Sequence, residues 1–117
     1  MYKVYIASPY TVGDQALNVR KQMQTSNTLI GLGYVPFSPL LMHFQHMLYP
    51  RPYQTWMFLD LEWLATCDIV LRLPGTSKGA DMEEKRANEL NIPVVYSIDE
   101  LNQHFGIEKE PLMIGYI

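Results

Sequence analysis

The chain has 117 residues, enough for one hydrophobic core and too few for two, so residues 1–117 are read as a single domain. Hydrophobic residues make up 48% and charged residues 18%, a globular composition that excludes disorder. The net charge is −3 and no block of Lys or Arg occurs, which argues against a nucleic-acid polymer as partner, because that affinity rests on neutralising many phosphates.

One small anionic ligand stays open. The single cysteine, Cys67, permits no intramolecular disulfide. The opening MYKVYIASPY is too short in its apolar part for a signal peptide, and no run has the length of a membrane span. A cytoplasmic protein with no membrane partner is expected.

Tyr2 to Ala7 (YKVYIA) is β-rich and closes at Ser8-Pro9, so it predicts a first strand. Asp14 to Leu32 predicts a helix with Ala16, Val19, Met23, Leu29 and Ile30 inward, Asp14 as N-cap and Gly33 as C′ stop. Tyr34 to Pro36 predicts a short second strand. Residues 37 to 54, with prolines at 39, 50 and 52 just after Pro36, predict loop. Gln54 to Thr66 predicts a second strong helix, and Asp68 to Leu73 (DIVLRL) a strand closed by Pro74-Gly75. Lys78 to Leu90 predicts a helix, Pro93 to Tyr96 a fourth strand, and Ile98 to Phe105 a short helix. The tail from Pro111 to Ile117 is apolar, which suits packing on its own sheet or on a neighbour.

Strands alternating with helices predict an α/β domain: a Rossmann-like or flavodoxin-like parallel sheet of four to five strands with helices on both faces. In such folds ligands sit beyond the carboxyl ends of the strands. The segments after Ala7, Pro36, Leu73 and Tyr96 should then surround one crevice.

Two acids point the wrong way for solvent. At about 100° per residue, Ala80, Ala87 and Leu90 form one helical face, and Glu83 falls within roughly 25° of its centre. Asp60 has Trp56, Met57, Trp63 and Leu64 at i−4, i−3, i+3 and i+4, while Glu62 lies about 200° round the helix. A carboxylate facing inward is costly unless it is paired, hydrogen-bonded or used. Two such acids on two helices fit an acid/base or nucleophile pair, because burial pushes their pKa values; capping a loop or pairing with an Arg is the structural alternative.

Two turns at strand ends add to the set: Ser8-Pro9-Tyr10 after the first strand, and GTSKGA at 75–80 after the third. The second leads into a helix whose free N–H groups favour an anion, although helix capping by Ser77 or Asp81 accounts for much of it. Neither is a dinucleotide fingerprint or a Walker loop. His43 and His46 lack a third ligand at zinc spacing, so no metal is expected, and His43 is placed with the pocket-lining residues. Cys67 reads as buried packing.

VYIASPY, LDLEWLATCDIVL and SKGADMEEKRA, in this order, resemble the nucleoside 2-deoxyribosyltransferase superfamily, with the nearest likeness to the 2′-deoxynucleoside 5′-phosphate N-hydrolases. The resemblance covers the chain to about Ile98. It implies that Glu83, in the pattern Ser77, Gly79, Glu83, Ala87, is the nucleophile. It implies that Asp60, in Asp-Leu-x-Trp-Leu, is the second catalytic carboxyl, that Tyr5 positions the nucleophile, and that Ser8 contacts substrate.

The implied chemistry is retaining glycosyl transfer through a covalent glycosyl-Glu83 intermediate, with no cofactor. Transferases acting on free nucleosides tend to carry an Asp where Ser77 stands. Ser77 and the backbone near Gly79 favour a 5′-phosphate instead, so the expected reaction is hydrolysis of the N-glycosidic bond of a (deoxy)nucleoside 5′-monophosphate. The phosphate-binding Arg of the hydrolases is replaced by about Tyr10, and Arg72 is the substitute cation, unless it is a solvated strand end. The Gly that follows the nucleophilic pair is also missing, since Glu84 and Lys85 stand after Glu83. Base exchange on free nucleosides, a non-catalytic nucleotide-binding protein and action on a larger nucleotide are the alternatives. The family also implies a homo-oligomer, dimer or larger.

Overall fold

The computed structural model describes residues 1–106; the tail expectation for Pro111 to Ile117 lies outside the described residues. Four strands, β1 (Lys3–Ala7), β2 (Val35–Phe37), β3 (Ile69–Arg72) and β4 (Val94–Val95), form one sheet in the order β2-β1-β3-β4. Every pairing is parallel: Tyr5 stands opposite Phe37 and Val70, and Leu71 opposite Val95. This is the flavodoxin-like α/β arrangement, with the strand order reversing between β1 and β3.

Strand alternation divides the core in two. Val4, Ile6, Ile69 and Leu71 face one side and pack with Leu29 and Leu32 at the end of α1 (Gln15–Gly31) and Leu101 of α5 (Ile98–Phe105). Tyr5, Ala7 and Val70 face the other side, against Leu64 of α3 (Tyr53–Leu64) and Ala80 and Ala87 of α4 (Lys78–Glu89). Asp14 caps α1 by accepting from the Leu17 amide at 3.0 Å, and Gly33 follows its end with φ +90°, as its sequence position predicts.

Two expectations need correction. Residues 37–54 are not all loop: a 3-10 turn (Pro39–Leu41) runs into a helix, α2 (Met42–Leu48). The flanking prolines bound this helix rather than prevent it; Pro39 sits in the first turn, where no amide donor is needed. The inward face of α1 is also different. Ile30 is about half exposed and Ala16 is exposed, whereas Gln22 is fully buried. Its amide donates to Ile6 O at 3.2 Å and Ser8 Oγ at 2.8 Å, and its Oε1 accepts from the Leu40 amide at 2.9 Å. A polar residue is stable there because both ends of the amide are satisfied.

Candidate active site

The centre of the site is a contact that joins residues 78 positions apart: the Tyr5 hydroxyl donates to the Glu83 carboxyl. Tyr5 reaches it because odd positions of β1 face α3 and α4. Glu83 reaches it because Ser77, whose Oγ accepts from the Ala80 amide at 3.0 Å, starts α4 in the phase that puts Ala80, Glu83 and Ala87 inward. The Tyr5 ring stacks on Phe37 at 5.6 Å, and Phe37 stacks on Trp63 at 5.4 Å, which fixes the phenol.

Glu83 is 5% exposed. Burial pushes its carboxyl up to about 8; the Tyr5 hydrogen bond and the Arg72 charge pull it down, and the Asp60 charge adds to the rise. Asp60, half-buried on α3, is pushed up to about 7 by burial. Tyr5 is held neutral, its pKa raised by burial first and then by Glu83 and Asp60. Two carboxyl groups therefore titrate near neutrality in one field, with a neutral phenol donor on one of them. Such a pair can divide the roles of charged nucleophile and proton donor.

The structure does not gather the remaining predicted residues into this centre as one set. Ser8 is buried and tied to Gln22. Ser8 and Pro9 line a cleft of about 330 Å³ on the α1 side, with Leu73, Pro74 and Ile98. Pro9 packs on Gly75, where φ is +119° and a Cβ would stand 2.7 Å from Pro9 Cγ. Tyr10 Oη is hydrogen-bonded to His43 Nδ1, so these two are brought together across 33 residues.

Arg72 is not a solvated strand end. It is 9% exposed and donates to Leu73 O at 3.1 Å, Gly75 O at 2.8 Å and Asp81 Oδ1 at 3.0 Å. Its guanidinium clamps the turn that leads into α4, and it lines a second cleft, of about 280 Å³, with Asp81, Glu84 and Tyr96. Neither cleft is lined by Tyr5, Asp60 or Glu83. The candidate chemistry therefore rests on the two carboxyl groups, each raised towards neutrality by burial, and not on either cleft.

His46 accepts from Trp56 Nε1 at 2.8 Å, and among the described residues no group of three His, Cys, Asp or Glu could hold a metal ion. Cys67 is buried, which raises its thiol pKa. Three residues of interest gave no signal in the sequence. Gln22 ties Ser8 in place, Tyr53 overlies Gly79, and Ser38, at the end of β2, has a buried Oγ with no hydrogen-bond partner among the described residues. The long-range contacts that define them have no local periodicity.

Fold and candidate site together define a flavodoxin-like α/β domain with one buried and one half-buried carboxyl on one face of its sheet. The chain belongs to the family described as Domain of unknown function (DUF7768), which matches residues 2–97. It is similar in fold to the solved structure of a 2-deoxyribosyltransferase from the psychrotolerant bacterium Bacillus psychrosaccharolyticus. That likeness has a TM-score of 0.58 at 22% identity, over 79% of this chain and 69% of that one. No curated protein matches the chain in sequence.

Proposed function

We propose that the chain is an enzyme that hydrolyses the N-glycosidic bond of a (deoxy)nucleoside 5′-monophosphate with retention at the anomeric carbon. The observation that carries the reading is the Tyr5 hydroxyl on the Glu83 carboxyl, with Asp60 within electrostatic reach. Tyr5 favours the charged form of Glu83, whose oxygen attacks C1′ as the C1′–N bond breaks. The bond electrons go to the base nitrogen, which takes the proton held by Asp60. Asp60, now ionised, removes a proton from water; the water oxygen attacks C1′ and Glu83 leaves as carboxylate. Free base and sugar phosphate are released.

The 5′ end is assigned to the turn Ser77–Gly79, which carries no carboxylate to repel a phosphate. Among the described residues no helix is long and apolar enough to cross a membrane. Phe44, Met47, Leu48, Phe58 and Trp63, each more than half exposed on α2 and α3, support assembly with further copies of the chain.

The fold shared with a 2-deoxyribosyltransferase favours a second reading, in which a free base replaces water as acceptor and the substrate is a nucleoside. Incubation with a panel of ribo- and deoxyribonucleoside 5′-monophosphates, with free base followed by chromatography, separates these. Base release that disappears in Glu83→Ala supports the hydrolase. Exchange with an added base on unphosphorylated nucleosides supports the transferase. Neither product from any member, with nucleotide still bound, would leave a nucleotide-binding protein.

A further inference from the structure

Tyr53 stands in the first turn of α3, and Asp60 is seven residues on, about 20° away on the same helical face. Gly79 stands in the first turn of α4, one turn before Glu83 and about 40° from it. α3 leads from the β2 end of the fold to the start of β3, and α4 from the end of β3 to the start of β4. Tyr53 and Gly79 therefore meet at the carboxyl end of the sheet, above the two acids. A Cβ on Gly79 would stand 3.1 Å from the Tyr53 hydroxyl and 3.3 Å from Met57 Cε. The glycine leaves the space that lets the phenol lie against the start of α4.

The hydroxyl is poorly used within the fold. Its hydrogen bond among the described residues goes to Met82 Sδ at 3.9 Å, a weak acceptor. It senses both acids: burial raises its pKa first, and the charges of Glu83 and Asp60 raise it further. Two other side-chain donors nearby already have partners within the fold. Arg72 is spent on two carbonyls and Asp81, and Tyr10 is paired with His43. Lys78 is exposed and lies about 140° round α4 from Glu83.

We propose that Tyr53 is a specificity-determining residue of this site, its phenol O–H, seated against Gly79 at the start of α4, donating to the 5′-phosphate of the substrate. The inference rests on the nucleotide reading of the site given above. It assigns to a tyrosine on α3 the donor role that Arg72, locked into its own turn, does not fill. A neutral phenol suits the position, because a further cation there would add to the pull of Arg72 on Glu83 and favour loss of the proton the leaving base requires.

The test is calorimetric binding of nucleoside 5′-monophosphates and the matching nucleosides to Glu83→Gln, with and without Tyr53→Phe. Loss of a hydrogen bond to a charged group lowers the preference for monophosphate over nucleoside by about tenfold to a hundredfold. Gly79→Ala, whose methyl displaces the phenol, lowers the same preference and adds little to Tyr53→Phe. An unchanged preference in Tyr53→Phe overturns the inference, as does absence of monophosphate binding when Tyr53 is present. Base release by the parent chain is read separately. Tyr53-dependent phosphate preference without base release keeps the inference and removes the catalytic reading; base release with no Tyr53 dependence does the reverse.

Discussion

Replacing Glu83 by Gln should stabilise the protein, and by an amount that grows with pH. In the unfolded chain this carboxyl ionises near 4.5, whereas burial in the folded protein holds its proton to about 8. Between those values the folded state binds more protons than the unfolded state, so stability falls as pH rises. Below 4.5 the group is neutral in both states and costs nothing; above about 8 it is charged in both and the full penalty stands. At about 1.4 kcal/mol per pH unit, the interval from 4.5 to about 8 amounts to roughly 5 kcal/mol. Relaxation and water entry reduce this to a few kcal/mol. Glutamine keeps the shape and an acceptor for the Tyr5 hydroxyl but carries no charge. Urea unfolding of both proteins at steps from pH 4.5 to pH 8.5 measures the effect. The two stability curves should meet at the acid end and diverge by about 2–5 kcal/mol at the alkaline end. Parallel curves would refute the reasoning, because they would mean that the carboxylate is as well solvated folded as unfolded.

Base release should follow a bell-shaped pH profile whose two limbs belong to the coupled pair. The active form needs Glu83 ionised and Asp60 protonated, and because Glu83 holds its proton to about 8 and Asp60 to about 7 it is the minority form at every pH. Both apparent pKa values should lie near 7–8, and Asp60→Asn should remove most of the rate. Arg72→Gln should destabilise the fold by roughly 1–3 kcal/mol in urea unfolding, since it removes the charged donor to Asp81, Leu73 O and Gly75 O. Gly75→Ala should cost roughly 1–3 kcal/mol by thermal unfolding, because φ is +119° and the new methyl meets Pro9 at 2.7 Å. Gln22→Leu should cost roughly 2–4 kcal/mol, leaving Ile6 O, Ser8 Oγ and the Leu40 amide without their partner.

The two acids were legible from helical phase alone. Glu83 falls among Ala80 and Ala87, and Asp60 between Met57 and Leu64, and the structure buries the first and half-buries the second. Caps were legible for the same local reason: Asp14 and Ser77 accept from amides three residues on. Gln22 was not, because a glutamine in an apolar stripe reads as a surface residue until Ile6, Ser8 and Leu40 arrive from elsewhere in the chain to satisfy it. The helix from Met42 to Leu48 was hidden because it has no buried residue and so no inward periodicity to detect. Arg72 read as either a ligand or a solvated end, and its role as a clamp depends on Asp81 and on the path of the turn between them.

The parallel α/β class, the order of its elements apart from Pro39–Leu48, and which acids turn from water were all readable along the chain. Those follow from period, propensity and capping, which act within a few residues. What the acids meet depends on contacts between elements far apart in the chain. The strand order β2-β1-β3-β4 carries Tyr5 to Glu83 and sets α3 beside α4, so that the Tyr53 phenol comes to rest over Gly79. These contacts join residues 78 and 26 positions apart in the chain. Local physics acts over a turn or two of helix and cannot specify pairings at that range; the closing of one shared core does.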